Sequence, residues 1–294
     1  MIKGWIGALG ALAILASGAA AQGTDDCFPG KSSNEARMMA KFDVPLAFSA
    51  VAAPERRSAG RIELGLELSY VPGVDPALAI PTECRPGKLR PENTDLLSAI
   101  PRPRVALALP WGFGVEASWI PPFRFSEARA NLVSVALSRT TAIQGGAVLL
   151  NIRAHGTFGV INGPITCNDA ALEDATSECF QGTRSDDAFH PNVVGVEAAV
   201  GWRLGKSLRP YIGAGYNHLA PRFRVNFTNQ FDQTDRRRVS VNLTRGVLFA
   251  GATWRATRAF ELSGEVYSPP TDAVTVRVAG RVVLGKRGAG SGER

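Results

Sequence analysis

Hydrophobic residues alternate with polar or small ones over much of this sequence. The clearest run follows Arg61, where every second residue is apolar: Ile62, Leu64, Leu66, Leu68 and Tyr70. The residues between them are charged or small, and they include Glu63 and Glu67. A period of two places successive side chains on opposite faces of a β-strand. The run therefore predicts a strand with one apolar face and one charged face.

Comparable runs recur along the chain and predict about ten strands in all. After the first, the clearest segments are 104–109, 113–120, 130–139, 147–158, 194–203, 260–266 and 274–282, with two less regular strands before and after residue 230. Their lengths are close to the roughly 9–11 residues that a tilted strand needs to cross a bilayer. A soluble sandwich also contains alternating strands, so the periodicity alone does not decide between the two folds.

The connections between these segments alternate between long and short. The longer ones are 71–101, 121–129, 160–191, 229–237 and 269–272, and the shorter ones are 110–112, 140–145, 205–207 and 256–258. Up-and-down outer-membrane barrels have short periplasmic turns and longer outward loops, whereas Greek-key sandwiches have no reason to alternate in this way. We therefore expect an all-β, antiparallel up-and-down transmembrane β-barrel over residues 61–285. A soluble periplasmic β-sandwich is the alternative.

The two ends of the chain differ from this central region. Lys3, the apolar stretch 5–15 and the small residues 19–21 match a secretory signal peptide, with cleavage near Ala21. This predicts an exported protein of a Gram-negative cell, placed in the outer membrane. Residues 286–294 are rich in glycine and basic residues, and we expect a flexible basic tail there.

Residues 22–60 show no strand-like alternation. Ser32 followed by Glu35 fits a capping box, and Met38, Met39 and Phe42 form one apolar stripe, so a short helix is expected. The stripe needs a packing partner. We favour a plug or lid for the barrel, while a segment below the barrel mouth or a partly disordered leader stays open.

The cysteines add a constraint on this N-terminal segment. The four cysteines are an even number in an exported chain, where oxidising conditions favour disulfides. Cys167 and Cys179 flank one loop, so we expect them to pair and leave Cys27 to pair with Cys84. Four cysteines allow three connectivities, and the others are not excluded.

The glycine- and aromatic-rich stretch 211–216, YIGAGY, together with the leader and the amphipathic strands, resembles bacterial outer-membrane β-barrel proteins as a class, of the porin-like or OmpA-like kind. The resemblance covers about residues 61–285. It implies a location among outer-membrane lipid and lipopolysaccharide, and insertion by the barrel-assembly machinery. It indicates no particular member of the class.

Charged residues on the polar faces predict the contents of the lumen. The predicted lumen residues are Glu63, Glu67, Glu116, Arg153, His155, Glu197, Arg203, Glu261, Glu265, Arg277 and Arg281. A ten-stranded barrel is narrow, so we expect side chains to fill it and ion pairs to cross between neighbouring strands. This favours a narrow channel or transporter for small solutes, or a structural membrane barrel.

Surface binding and catalysis are the other functions considered. We expect that one arginine group could contact lipopolysaccharide phosphates: Arg222, Arg224, Arg236, Arg237 and Arg238. Asp186, Asp187 and His190 in one loop are the best candidates for an outer-membrane protease or lipid-modifying enzyme, but no catalytic motif supports them and we predict no enzyme. The sequence indicates no metal or cofactor. Despite a net charge of +7, export and the lack of a recognition motif argue against nucleic acid.

Two local features carry their own expectations. Val239, Val241 and Leu243 fall out of phase with Leu248 and Trp254, which predicts either a bulge near 244–246 or a protruding hairpin from 222 to 243. Six aromatic residues lie near predicted strand ends, where an aromatic girdle is expected. They are Trp111, Trp119, Trp202, Tyr211, Trp254 and Tyr267.

Overall fold

The computed structural model describes residues 26–284, apart from residues 87, 89, 96, 97, 126, 144, 145 and 271. The expected signal peptide, residues 1–21, and the expected tail, residues 286–294, lie outside the described residues.

Ten antiparallel strands form a closed barrel. They are β1 (Ile62–Tyr70), β2 (Ala99–Ala108), β3 (Phe113–Ile120), β4 (Ala128–Ile143), β5 (Val148–Gly163), β6 (Val193–Trp202), β7 (Leu208–Leu219), β8 (Leu243–Arg255), β9 (Phe260–Ser268) and β10 (Thr275–Leu284). Each strand pairs with the next in sequence, and β10 pairs with β1. The predicted ten-stranded up-and-down barrel is therefore confirmed.

The outer and inner faces of the wall have opposite character. In β1, Leu66 is 58% exposed whereas the adjacent Glu67 is fully buried. The other alternate apolar residues of this strand are likewise exposed, and Glu63 is buried. A soluble sandwich would turn its charged face to water and bury its apolar face. The barrel does the reverse, which is the arrangement of a strand wall that meets lipid.

The connections fall into two groups at opposite ends of the barrel. Five connections lie at one end, called here the long-loop end: 71–98, 121–127, 164–192, 220–242 and 269–274. Four lie at the other, the short-turn end: 109–112, 144–147, 203–207 and 256–259. The predicted alternation is thus present, although 269–274 is itself short.

Short elements complete the fold. Helix α1 spans Asn34–Asp43, a 3₁₀ turn follows at Val44–Leu46, another lies at Pro110–Gly112, and α2 spans Asp169–Glu173. Within the described part of the chain, no helix has the length and apolar character needed to cross a bilayer. The N-cap of α1 is Ser33, whose hydroxyl accepts the Ala36 N–H at 3.1 Å. The expected capping box at Ser32 and Glu35 is wrong, because Glu35 binds a loop instead.

A small sheet extends the barrel wall at the long-loop end. Its strands are Asp187–His190, Arg222–Arg224, Arg238–Ser240 and Asp26–Cys27, and the first of these continues the edge of β5. We call it the cap sheet. Two further strands, Phe227–Thr228 and Thr234–Asp235, pair in the hairpin above it, and Arg124–Phe125 pairs with the start of β4.

Two disulfides fix the long-loop end. Cys167 is bonded to Cys179 and Cys27 to Cys84, which is the pairing that the sequence favoured. The second bond joins the N-terminal segment to the first long connection.

β8 contains no bulge, and of the two expectations for this region the hairpin is correct, since Arg222–Arg224 pairs with Arg238–Ser240. Pairing with β7 runs without interruption from Leu243↔Leu219 to Trp254↔Leu208. Val239, Val241 and Leu243 are buried together with Val247, because they all point toward the interior. Apolar residues occur on this inward face since the N-terminal segment packs against them, a partner that the sequence pattern does not reveal.

The aromatic residues near the strand ends divide into two groups. The four tryptophans are exposed on the outside, as a girdle requires. Tyr211 and Tyr267 are instead fully buried in the lumen, so the girdle expectation is wrong for these two.

Candidate functional site: the filled lumen

The barrel lumen contains part of the N-terminal segment. After α1, residues 44–57 run from the long-loop end to the short-turn end before the chain enters β1. We call residues 44–57 the lumen segment. Its first half, from Val44 to Ser49, is buried throughout. This segment contacts strands from all around the barrel, and it therefore lies in the lumen, enclosed by the wall.

Arginines from the wall bind the backbone of the lumen segment. The donor–acceptor pairs are Arg277 to Val44 O at 2.9 Å, Arg102 to Leu46 O at 3.1 Å, Arg153 to Phe48 O at 3.1 Å, Arg104 to Ser49 O at 2.7 Å, and Arg281 to Ala50 O. The arginines come from β2, β5 and β10. Val44 O also accepts the Ala47 N–H of the 3₁₀ turn at 3.2 Å. Backbone carbonyl groups outside a helix or sheet need partners from elsewhere, and these charged donors supply them.

Phe48 lies at the centre of the arginine cluster. Its ring centroid is 4.3 Å from the guanidinium carbon of Arg104, 5.0 Å from that of Arg153 and 5.4 Å from that of Arg102. The ring is fully buried. Cation–π attraction is stronger in a desolvated site, so Phe48 compensates part of the cost of placing three cations in the lumen.

Side-chain hydrogen bonds fix the register of the lumen segment. The Ser49 hydroxyl donates to Glu265 of β9 and accepts from Arg277 of β10. Further along, the Ala53 N–H donates to Thr253 of β8 at 2.8 Å. An ideal Cβ on Gly201 of β6 would lie 2.7 Å from the Pro54 ring, so glycine allows the segment to approach that strand.

Carboxylates of the wall neutralise these arginines. Glu67 contacts Arg104 and lies 3.7 Å from Arg102. Glu116 accepts from Arg104 at 2.6 Å and lies 2.8 Å from Arg153. These groups belong to four different strands. Buried ion pairs contribute less to net stability than their Coulomb energy suggests, but removing one partner leaves an uncompensated charge.

A second buried polar cluster joins β5, β6, β7 and β9. Tyr267 donates to Glu197 at 2.9 Å and accepts from Asn217 at 2.6 Å. The His155 Nε2 atom lies 3.3 Å from Glu197. Tyr211 donates to Glu265 at 3.0 Å, which connects this cluster to the lumen segment.

Ion pairs also close the short-turn end. Glu55 of the lumen segment lies 2.7 Å from Arg209 and 2.5 Å from Arg255. Arg57 contacts Glu63 and lies 3.4 Å from Glu261. These contacts hold the end of the lumen segment against β1, β7, β8 and β9.

Glu35 of α1 anchors the helix at the long-loop end. Its carboxylate accepts the backbone N–H groups of Thr82, Glu83 and Cys84 at 2.8–2.9 Å. Burial alone would raise the pKa of this carboxyl, but the hydrogen bonds outweigh it and hold the pKa below its ordinary value of 4.5. Asp43, at the other end of α1, is fully buried and has no hydrogen-bond partner among the described residues, so burial raises its pKa.

The predicted lumen residues are therefore mostly grouped in one network. Arg203 is the exception, since it is exposed at the short-turn end. Arg277 of β10 lies 3.6 Å from Glu265 on the neighbouring β9, an ion pair of the kind expected. Arg281 lies across from Glu261 in the ladder, and its charge lies 4.0 Å from Glu116 of β3. Sequence reasoning missed several buried or half-buried polar residues of the network: Ser49, Glu55, Arg57, Arg102, Arg104, Arg209, Tyr211 and Tyr267.

The residues considered for catalysis do not converge. Asp187 is buried and accepts the N–H groups of Thr166 and Asn226 at 2.6 and 2.8 Å, which is a structural role in the cap. His190 lies on the opposite face of the same short strand, where its Nδ1 atom is 3.1 Å from the carbonyl oxygen of Gly159. Among the described residues, no group of three or more His, Cys, Asp or Glu side chains could hold a metal ion.

The arginines considered for lipopolysaccharide contact occupy different positions. Arg222, Arg224 and Arg238 are exposed on the outward face of the cap sheet, and Arg224 lies directly across from Arg238. Arg236 is exposed in the hairpin. Arg237 points elsewhere, and donates to the carbonyl oxygen of Cys84 at 2.8 Å.

Comparisons with known proteins show likeness in fold only at a low level. No protein-family model and no curated protein matches the chain. Among solved structures, Ail, the attachment invasion locus protein of Yersinia pestis, is 12% identical, with a TM-score of 0.29 over 77% of this chain and 100% of that chain. Neisserial surface protein A is 9% identical, with a TM-score of 0.28 over 77% and 97%. The transport unit of the autotransporter AIDA-I from Escherichia coli is 12% identical, with a TM-score of 0.33 over 86% and 98%.

These sequence identities and TM-scores are too low to support a conclusion about the present chain. The class of protein is defined by its own geometry: a closed antiparallel barrel with an apolar outer surface, a charged lumen and a lumen segment from its own N-terminal region. It is a transmembrane-type β-barrel.

Proposed function

We propose that this protein is an outer-membrane barrel whose narrow channel is closed by its own N-terminal segment. With residues 44–57 bound in the lumen the barrel is sealed, and small polar solutes cross only when these residues are displaced. The proposal rests on one observation. Arginines from three strands donate hydrogen bonds to five backbone carbonyl groups of the lumen segment, between Val44 and Ala50.

The location in the outer membrane is supported by three properties of the chain. The barrel exposes apolar side chains, as a lipid-facing wall does. Its two disulfides fit an oxidising compartment. The sequence begins with a stretch typical of a secretory leader. Insertion by the barrel-assembly machinery would follow from this location.

Fractionation of cells that produce the protein tests this location. We expect the protein in the outer-membrane fraction, and faster electrophoretic migration of the unboiled sample, because a closed barrel stays compact until it is heated. Recovery of a stable monomer in the soluble periplasmic fraction would refute the proposed location and the membrane function.

A second proposed function is contact with lipopolysaccharide through Arg222, Arg224 and Arg238. These side chains project from a sheet that continues the lipid-facing side of β5, and guanidinium groups bind phosphate oxygens in bidentate fashion. A concave surface of about 310 Å³ lies among them. The short-turn arginines Arg203 and Arg258 are exposed at the opposite end and provide a matched control.

The test replaces the three cap arginines with glutamine and compares the thermal stabilisation that added lipopolysaccharide gives to the detergent-solubilised protein. We expect the stabilisation to fall in the cap variant and to persist in a variant with glutamine at the two short-turn positions. Equal stabilisation of the cap variant and the unmodified protein would remove this function.

A further inference from the structure

Asp43 is the last residue of α1 and comes directly before the lumen segment. It follows Ala36 and Ala40 on one face of the helix, and all three residues are fully buried. Neither oxygen of its carboxyl group has a hydrogen-bond partner among the residues that the structure describes. An ionised carboxylate therefore has nothing to replace its hydration at this position.

Charged and titratable groups on α1 and the elements around it are bound elsewhere. Lys41 donates to the carbonyl oxygen of Gly73 at 3.2 Å, and Asp272 of the connection 269–274 pairs with Arg245 of β8. Others that have their own partners are Glu35 of α1, Arg85, Lys88 and Glu92 of the connection 71–98, Glu67 of β1, Arg102 of β2, Glu265 and Tyr267 of β9, and Arg277 of β10. Within the described part of the chain, none of them forms an ion pair with Asp43.

Two physical effects favour the uncharged carboxyl at this position. Burial without a counter-charge raises the pKa of Asp43 well above its ordinary value of 3.8. The C-terminal end of a helix carries a partial negative charge, which also opposes a carboxylate. The docked helix therefore holds a proton on Asp43 that the same residue would give up in water.

We propose that protonation of Asp43 controls the lumen segment, which stays bound while this carboxyl is uncharged and is released when it ionises. The next residue is Val44, whose carbonyl oxygen accepts from Arg277 at 2.9 Å. Movement of Asp43 toward solvent would therefore break the first of the five arginine contacts. The inference rests on the proposed closure of the channel by residues 44–57, and it means that the barrel opens as the pH rises.

The sign of the pH dependence follows from the two states of Asp43. Its pKa is raised in the bound state and returns toward 3.8 in the released state, where the carboxyl meets water. The bound state therefore loses stability relative to the released state as the pH rises above about 4, and this loss ends at the bound-state pKa. One proton changes the opening equilibrium by at most about tenfold per pH unit.

Thiol labelling of an Ala47→Cys variant tests this dependence. Ala47 is fully buried in the lumen segment, so a thiol at this position reacts only in the open population. Each rate is divided by that of a free thiol at the same pH. Between about pH 5.5 and 8, the corrected rate should rise by up to about tenfold per unit and then level off. Glu35 stays ionised over this range, because its pKa lies below 4.5.

A second substitution in this variant separates the charge of Asp43 from its shape. Asp43→Asn has the shape of the uncharged carboxyl and cannot ionise, so its corrected rate should stay at the low value that the parent shows in acid. A structural defect would instead raise the rate at every pH. Asp43→Ala replaces this variant if it does not give a heat-modifiable barrel. Asp75→Asn removes an exposed carboxyl of the connection 71–98 and should keep the parent's pH dependence.

The results that overturn the inference differ from those that overturn the seal. A protected thiol whose corrected rate changes by less than about twofold over this range leaves the seal intact and refutes control by Asp43. A pH dependence that persists in the Asp43 variants belongs to another group, such as His155 of the lumen, and refutes it as well. Labelling at the free-thiol rate at every pH would refute the seal itself.

Discussion

Replacing Phe48 with alanine should loosen the lumen segment without opening the barrel wall. The ring is fully buried and lies 4.3–5.4 Å from three guanidinium carbons. Truncation of a buried phenylalanine costs about 3–5 kcal/mol. Loss of the cation–π contacts belongs to that cost and is not added to it. The hydrogen bonds from the wall arginines to the backbone remain, so the barrel itself should stay folded.

A single introduced thiol can measure this effect. Both native cysteine pairs form disulfides, and the described residues include no free cysteine, so Ala47→Cys adds one reactive group inside the lumen. When opening is a rapid pre-equilibrium, the labelling rate by a maleimide follows the open population. Since each 1.4 kcal/mol is a factor of ten, a loss of 3 kcal/mol predicts about a hundredfold increase in rate.

Two comparisons make this result decisive. Phe158→Ala removes a ring that is 43% exposed on the wall, and the labelling rate at position 47 should not change. Heat-modifiable migration of each variant shows that the barrel is intact. If Phe48→Ala leaves the labelling rate within about twofold of the parent in a folded barrel, the ring does not hold the lumen segment and the reasoning is refuted.

Three further predictions concern the network and the cap. Glu67→Ala leaves Arg102 and Arg104 short of a counter-charge in the lumen, so denaturant unfolding should show a loss of about 3–5 kcal/mol. Glu35 has a lowered pKa when folded, so its contribution to docking of α1 is present above about pH 4.5 and is lost as the pH falls below it. Hydrogen exchange at residues 82–84, corrected for intrinsic rates, should therefore show weaker protection in acid, and Glu35→Gln should remove this pH dependence. Serine at both Cys27 and Cys84 unties the N-terminal segment, and should raise the labelling rate at position 47.

The Glu67 and disulfide predictions each have a matched control in the same chain. Glu127 forms an exposed pair with Arg184, so Glu127→Ala should cost no more than about 1 kcal/mol. Serine at Cys167 and Cys179 removes the other disulfide, and should leave thiol labelling in the lumen unchanged. Comparable losses in the test and control variants would mean that the effects are general destabilisation of the barrel.

The wall of the barrel could be predicted from the sequence because its two faces meet different surroundings. A residue such as Leu66 is in contact with lipid and Glu67 with the lumen, so the period of two is preserved along β1. Loop lengths then gave the direction of each strand. Both signals are local, and neither requires knowledge of which residues are distant neighbours.

The interior could be predicted only in part, because its polarity depends on the lumen segment. Arg102 and Arg104 stand among prolines and apolar residues, and their role follows from carbonyl groups some 55 residues earlier in the chain. Tyr267 is inward because it binds Glu197 and Asn217, although its position near a strand end suggested a girdle. Val239 and Val241 are apolar and inward since they pack in one core with the N-terminal segment, which made the chain before β8 look irregular.

Single-channel recording in a planar bilayer tests the seal most directly. The full-length protein should insert with no steady conductance, and a form lacking residues 22–56, with Cys84→Ser to remove the unpaired thiol, should give stable conductance steps once its heat-modifiable migration shows that it is folded. Steady conductance of the same size from both forms would contradict the account, because it would mean that residues 44–57 do not close the lumen.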